Sequence, residues 1–342
     1  MNDLVSIVIP IYNMANSIEH TVDALLLQDY KEIEIILVDD GSKDNSYAIC
    51  KQLATRDDRI KVFHIENRGA GPARNYGIEQ AQGKWIYFPD ADDYIEPHAI
   101  STMIAGTCNG VYDLVVFGFK SVNEHNKIVQ KKSYYDCVKE AEDLRKDYSK
   151  HLGMTADFAI QGAPWNKFFN LEIIKRNKIK YPPLRRHQDE AFIAYYMCYA
   201  KRVHFIPDIL YTYYVNSLQK EWQKYPLDYY KAVIGLYETR KETILTWNKN
   251  DIITHDCIRR EYICKVIKSL ELSFSPKMQT NKEERLEWMK NIINSTHIEQ
   301  EETPSTLGLY QRIILSLLQK KRLMNVYYIL QLKVNIECIL HK

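Results

Sequence analysis

The chain has 342 residues, 46% of them hydrophobic, and a formal net charge of +2. That length supports a large core in about two substructures, and the near-zero charge supplies no global field to draw the protein onto nucleic acid. No run of about 18 apolar residues occurs, so no membrane-spanning helix is expected. Seven cysteines form no C-x-x-C pair and no zinc spacing, and a strand begins almost at once in "MNDLVSIVIP", with no signal peptide ahead of it. They read as reduced, structural thiols of a cytoplasmic protein.

Taken in chain order, "LVSIVIPIYN" is a β-rich apolar run stopped by Pro10 and Asn13, the pattern of a buried parallel strand. "SIEHTVDALLLQ" places Ile18, Val22, Leu25 and Leu26 at helical spacing, with Ser17 as its cap. "EIEIILVDDGSKDNS" is a second strand ending in a carboxylate pair and a Gly-Ser turn. "SYAICKQLAT" reads as a helix, "IKVFHIE" as the third strand, and "GPARNYGIEQAQG" as a helix closed by Gly83. "WIYFPDADD" is then a fourth strand. Such alternation with short loops predicts an α/β sheet, parallel in this region, with helices on both faces.

Sheets of this kind bind ligands beyond the carboxyl ends of their strands. Three chemically interesting clusters fall there: Pro10–Asn13, Asp39–Ser42 and Asp90–Asp93. The last is the most demanding, because carboxylates that close resist ionising together unless a cation, a basic side chain or solvent answers them. Asp90 and Asp92 suit Mg²⁺ or Mn²⁺, since alternate positions of an extended segment point the same way and carboxylate oxygens match a hard ion. A solvated acidic turn, with Asp93 heading the next segment, is the alternative. Neither G-x-G-x-x-G after the first strand nor G-x-x-x-x-G-K-[ST] is present, which excludes the standard dinucleotide and P-loop readings.

The blocks "VSIVIPIYN", "IEIILVDDGSKDNS", "NRGAGPARNYGI" and "GKWIYFPDADDYIEP" occur in order over residues 5–97. They resemble the signature blocks of family 2 (GT-A fold) glycosyltransferases, which use nucleotide-sugar donors and usually invert the anomeric centre. Downstream, "GAPWNKFFNLEIIKRNKIKYPP" resembles the acceptor-side Trp-Asn-Lys block of the family's polysaccharide branch. "HQDEAFIAYYMCYAKRVHFIPDILYTYYV" resembles the block carrying its catalytic aspartate, which extends the likeness to about residue 217. The implied fold is α/β, a GT-A type Rossmann-like mixed sheet with helices on both faces, followed by a mainly helical carboxyl-terminal region. The implied division is 1–100 for the nucleotide-sugar, 101–217 for the acceptor, and 218–342 for the helices.

The resemblance also implies roles. Asp92, the last aspartate of D-x-D, would make the direct metal bond, with Asp90 beside it and Ala91 along the donor. Asp39 and Asp40 would hold a uracil ring, Asp40 accepting from the ring N–H, which suits a group that can only accept; an Asx-type turn with Gly41 and Ser42 is expected as well. Pro10, Tyr12 and Asn13 would line the same pocket, and Arg68 and Gly69 would approach base or phosphates, while Arg74 of the same block is alternatively an ordinary helix-surface residue. Asp189 is the general base that deprotonates the acceptor hydroxyl. The motif reads Gln188-Asp189-Glu190 where the family commonly has Glu-Asp, which leaves Glu190 as an alternative base. Trp165, Lys167 and His187 are candidate acceptor contacts; Trp165 is alternatively core and His187 alternatively structural.

From Leu218 the spacing becomes helical: "YPLDYYKAVIGLYETRKETILTW", "DCIRREYICKVIKSLEL" and "KEERLEWMKNIIN", with "SPKMQTNKEE" and "QEETPSTLG" as linkers. The last segment carries Lys320, Lys321, Arg322, Lys333 and Lys342 against Glu337. It reads as a basic amphipathic tail for an anionic bilayer surface on the inner face of the cell membrane, or as a helix docked on its own domain or on a second copy. The functional expectation is a metal-dependent, inverting transferase, hexosyl or N-acetylhexosaminyl. It would move a sugar from a UDP-sugar to a glycan or lipid-linked acceptor of a cell-surface polysaccharide such as a capsule. Two other readings are a sugar-phosphate nucleotidyltransferase, whose Gly-rich basic loop is missing, and a degenerate domain kept as a glycan-binding scaffold.

Overall fold

The structure, a computed structural model, describes residues 3–146, 160, 162–215, 225–247, 252–275, 278 and 280–340, with no side-chain account of 337–340. Lys342 and the side chain of Glu337, both counted in the basic tail, lie outside the described residues, as do residues 276, 277 and 279 of the expected linker. The chain divides into two compact units, Met1–Ser217 and Leu218–Lys342.

In the first unit the apolar runs become strands β1 (Val5–Ile11), β2 (Ile33–Asp40), β3 (Ile60–Ile65) and β4 (Trp85–Tyr87). They pair in parallel in the order β3-β2-β1-β4. Every residue of β2 is buried, as expected of a strand covered on both faces. Pro10 lies within β1 but beyond the point where β4 stops pairing, at Ile7↔Tyr87, so its missing N–H interrupts no bond on that side. Helices α1 (Ile18–Leu26), α2 (Ser46–Arg56), α3 (Ala70–Gln80) and α4 (Ala99–Gly106) connect the strands and flank the sheet. Ile7, Ile9 and Ile11 share a core cluster with Ile18, Val22, Leu25, Cys50, Leu53 and Ile100. Val8 points the other way, to α3, where a Cβ on Gly77 would stand 2.2 Å from its Cγ1.

The sheet then ceases to be purely parallel. The remaining strands are β5 (Tyr94–Ile95), β6 (Leu114–Asn123), β7 (Ile128–Lys132), β8 (Cys137–Glu140), β9 (Lys167–Asn170) and β10 (Arg202–Val215). They extend it to ten strands in the order β3-β2-β1-β4-β9-β6-β10-β5, with β7 on β6 and β8 on β10. β9 runs antiparallel between β4 and β6. Its first residue, Lys167, therefore comes to the edge at which β1, β2 and β4 end. Helices α5 (Ala141–Lys146), α6 (Leu171–Arg176) and α7 (Gln188–Met197) complete the unit. Phe88, Phe169, Tyr181, Phe192 and Tyr196 form a second aromatic core, with Tyr181 and Phe192 stacked at 4.0 Å.

Three local expectations need correction. Ser17 precedes α1 but makes no capping bond; its hydroxyl turns back to the Met14 carbonyl. α3 ends at Gln80, where Ala81 turns extended, so Gly83 is not its cap. The fourth strand stops at Tyr87, before Pro89, and Ala91–Asp92 is a turn rather than extended chain.

The second unit is helical: α8 (Tyr229–Thr246), α9 (Ile252–Glu271), α10 (Lys282–Thr296), α11 (Leu309–Gln319) and α12 (Leu323–Leu340). Asn281 and Glu284 form a capping box at the start of α10, so "KEE" is helix and not linker. Ile263, Val266, Ile267, Met289, Ile314, Leu315, Val326 and Leu330 lie in its core. Buried Glu271 of α9 accepts from Tyr310 of α11 and Lys333 of α12. Among the described residues no helix is long and apolar enough to cross a membrane.

Candidate active site

The ends of β1 and β2 are tied to each other. Asn13, in the left-handed region at φ 55°, donates its N–H to Ser42 Oγ at 3.0 Å and accepts from the Lys43 N–H at 2.8 Å. The Met14 N–H bonds Ser46 Oγ at 2.7 Å and the Ala15 N–H bonds Asp44 Oδ2 at 3.1 Å. Tyr12 is exposed beside this clasp. Asp39 and Asp40 are both buried. Asp39 Oδ2 contacts His64 Nδ1 at 2.6 Å and accepts from Ser42, while its Oδ1 is buried without a partner. Asp40 accepts the Arg68 N–H at 2.9 Å and the Gly69 N–H at 2.7 Å, one on each oxygen. Burial, reinforced by Asp39, outweighs those bonds and raises its pKa. The Arg68 side chain lies in solvent against Glu66, and Gly69 adopts φ 98°, a backbone that favours glycine.

Of the three carboxylates after β4, each is answered differently. Asp93 is inside: it accepts from the Tyr211 hydroxyl at 2.6 Å and from the Tyr214 N–H at 2.9 Å. Burial and then the Asp90 charge push it up to about 8. The Tyr211 hydroxyl also accepts from the Asp90 N–H, and Thr21 Oγ1 bonds the carbonyls of buried Ala91 and of Asp93. Asp93 thus shapes the turn. Asp92 is exposed and has no ion-pair partner among the described residues; partial enclosure and the neighbouring Asp90 raise its pKa.

Asp90 is answered by Arg74. This side chain keeps only 4% of its surface and bridges two carboxylates, Nη2 to Asp90 Oδ1 at 2.8 Å and Nη1 to Asp189 Oδ1 at 2.9 Å. Burial opposes its charge, but the two carboxylates prevail and raise its pKa further. The helix-surface alternative is therefore wrong. α3 can bring Arg74 inward because the face it shares is made of Gly71, Ala73 and Gly77. A Cβ on Gly71 would stand 2.3 Å from Gln188 Oε1, so the residue that replaces the expected glutamate packs directly on this helix.

Asp189 follows, in the first turn of α7, where a carboxylate is favoured by the helix dipole. Its side chain remains 31% exposed, and its second oxygen has no protein partner among the described residues. Burial is the largest influence on it; Arg74 opposes, Asp90 and Glu190 add to it, and the carboxyl is pushed up to about 6. Glu190 is held by His187 Nδ1 at 2.7 Å. His187 itself sits at φ 62°, an uncommon backbone for a bulky residue.

Two acceptor candidates are not presented to solvent. Trp165 is buried, stacked on Tyr211 at 4.7 Å and Tyr213 at 5.6 Å, with Phe119 at its edge. Lys167 is fully buried, donating to the Ala163 carbonyl and Asn166 Oδ1, and burial pushes its ammonium down to about 7 despite the Asp189 charge. Trp165 thus takes the core position that was its alternative reading, and Lys167 is turned to its own chain rather than to solvent. The structure thus brings Asp39, Asp40, Asn13 and Gly69 together at one loop pair, and Asp90, Arg74 and Asp189 at another. Arg74, Asp93 and Tyr211 are the members that sequence reasoning missed.

The residues present fit a divalent cation of the kind that keeps water and phosphate in its shell. Among the described residues no three His, Cys, Asp or Glu side chains form a cage. Mg²⁺ in nucleotide sites, however, is typically held by one or two carboxylates plus substrate phosphates. Asp92 offers an unpaired carboxylate and Asp90 an oxygen beyond the one bound to Arg74.

Residues 6–170 match the model of Glycosyl transferase family 2. The chain is 31% identical over 248 residues to the putative glycosyltransferase EpsH of Bacillus subtilis, covering 72% of this chain and 70% of that protein. It is 30% identical over 246 residues to the glycosyltransferase GlyG of Streptococcus pneumoniae, covering 70% and 80%. Among solved structures, TarS 1–349 of S. aureus in complex with UDP superposes with a TM-score of 0.67 at 20% identity, over 98% of this chain and 92% of that one. At this identity the likeness is one of fold.

Proposed function

The chain belongs to glycosyl transferase family 2, and on that premise we propose that it moves a sugar from a UDP-sugar to a hydroxyl of a glycan or lipid-linked acceptor, with inversion, in the synthesis of a cell-surface polysaccharide. One observation carries the reading: a single buried guanidinium joins Asp90, on the donor side, to Asp189. A base for the acceptor and a carboxylate for the leaving diphosphate are thereby set at a fixed spacing.

Asp189 takes the proton of the acceptor hydroxyl as that oxygen bonds the anomeric carbon, while the bond from that carbon to the diphosphate breaks and UDP departs. A carboxyl at about 6 is ionised near neutral pH yet basic enough to share a proton in the transition state. Arg74 keeps that carboxylate charged and aimed. Glu190, already engaged by His187, is the weaker candidate for base. Asp92 and Asp90 would hold Mn²⁺ or Mg²⁺, which when bound neutralises charge on the leaving diphosphate. Asp40, with Asp39, Pro10, Tyr12, Asn13, Arg68 and Gly69, would bind the nucleotide. Support for uridine comes from the fold shared with TarS, whose structure contains UDP.

Calorimetric titration of UDP with Mn²⁺, again with EDTA, and into Asp92→Ala tests this reading without knowledge of the acceptor. Metal-dependent binding that Asp92→Ala abolishes is expected. Absence of UDP binding in both conditions would overturn the UDP assignment.

A further inference from the structure

The exposed positions of α12 carry Met324, Asn325, Tyr328, Leu332, Asn335 and Ile336. Four of these are large apolar side chains at four-residue intervals, and they remain 39%, 54%, 63% and 47% exposed in chain order. The opposite side of the helix, Val326, Tyr327 and Leu330, is buried in the core of its own unit. An amphipathic surface helix ordinarily gives its outer face to charged residues. Here residues 323–336 contain one charge, Lys333, and that ammonium is turned to Glu271 at 2.6 Å. Both faces of α12 are therefore apolar in character, and only one of them is covered by the unit.

The charge at the start of the stripe is basic. Lys320, Lys321 and Arg322 are exposed immediately before α12. On its flank, Lys282 donates to the Tyr328 hydroxyl at 3.0 Å and stands 5.1 Å from the ring centroid. No acid occurs between residues 320 and 336; Glu337 follows that run, and Glu283 and Glu284 follow Lys282. A parallel pairing of two such helices would bury the apolar stripe but set the two basic clusters at Lys320, Lys321 and Arg322 against each other. An anionic bilayer answers both features at once, with acyl chains for the stripe and lipid phosphates for the cations.

We propose that the outer face of α12 is a membrane-surface contact for an anionic bilayer, with Tyr328, Leu332 and Ile336 entering the headgroup boundary and Lys320, Lys321, Arg322 and Lys282 meeting phosphates. The contact lies on the surface and does not cross it. This assignment stands independently of the donor or base residues proposed above.

Flotation of the full chain with phosphatidylcholine vesicles, with and without phosphatidylglycerol, tests it. Binding is expected only when phosphatidylglycerol is present, and it should weaken with salt. Lys320→Glu with Arg322→Glu should weaken it ~30-fold or more, from about one kcal/mol for each basic group lost at the surface. Leu332→Glu should weaken it by ~10-fold or more, because a carboxylate replaces a side chain that enters the apolar boundary. The far-ultraviolet dichroism of each variant checks its fold, and the two charge reversals stand outside the helix should Leu332→Glu unfold it. Equal binding to both vesicle types, or none to either, would overturn the proposal. So would a dimer by light scattering that Leu332→Glu dissolves without any flotation, which would assign the face to a second copy.

Discussion

Replacing Arg74 by methionine keeps much of the side-chain volume and removes the cation. The guanidinium is 4% exposed, whereas Asp90 and Asp189 keep 31% each. A hydrogen bond to a charged group contributes ~1.5–3 kcal/mol, so the two bonds set an upper range of ~3–6 kcal/mol. Both carboxylates already reach water and recover part of that on losing their partner, which leaves an expected destabilisation of ~2–4 kcal/mol. For a unit of this size that lowers its melting transition by ~4–16 °C, read by differential scanning calorimetry. Arg74→Lys should fall between, because an ammonium is a point charge that does not bridge two carboxylates in the manner of a fork. The same substitution has a second signature. Arg74 is the principal influence holding the Asp189 carboxyl down; without it only the weaker pull of Lys167 opposes burial, Asp90 and Glu190, and the acid limb of kcat/KM moves to higher pH. A melting transition within ~0.5 kcal/mol of wild type, together with an unmoved acid limb, would refute the bridge.

In the unsubstituted protein kcat/KM should rise with pH through an apparent pKa of about 6, and Asp189→Asn should cost ~10²–10⁴-fold in turnover while UDP binding persists. The linked effect on stability has the opposite sense: a carboxyl raised from 3.8 to about 6 binds its proton more tightly when folded, so this group's contribution falls as pH rises across that interval. Denaturant melts of wild type and Asp189→Asn between those pH values would expose it. Trp165→Ala should destabilise the first unit by ~3–5 kcal/mol, as expected of a large ring removed from a core, without changing the acceptor KM of the folded fraction. A selective rise in that KM would return Trp165 to the acceptor site.

The strands of the first hundred residues were legible because each is a bounded apolar run whose carboxyl end carries the chemistry. Asp189 was singled out only through its resemblance to a family block. Arg74 was not, and the reason is physical: periodicity looks for large apolar side chains, and the buried face of α3 is built from Gly71, Ala73, Gly77 and Ile78. The available signal was spacing. Gly71, Arg74 and Gly77 recur at three-residue intervals, and glycines so placed mark a helix pressed close to its neighbours, which draws the residue between them inward. The burial of Trp165 and Lys167 was not legible because nothing local announces that β9 inserts antiparallel between β4 and β6. Those pairings join residues distant in the chain, such as Tyr87 with Phe168 and Val116 with Lys167, and they bury the Trp-Asn-Lys block. The three aspartates after β4 looked equivalent; a tyrosine far along the chain, Tyr211, is what takes Asp93 out of the set.

The clasp between the ends of β1 and β2 has a kinetic meaning. Four hydrogen bonds from Asn13, Met14, Ala15 and Lys43, all made within the chain itself, fasten one loop to the other. The ordering entropy of these loops is therefore spent during folding and is not charged again when a nucleotide docks. With the nucleotide placed here as proposed, these loops should add no slow closure step. The base should seat in one phase, at an observed rate that climbs linearly with nucleotide concentration, and whatever waiting the enzyme does must happen elsewhere in its cycle.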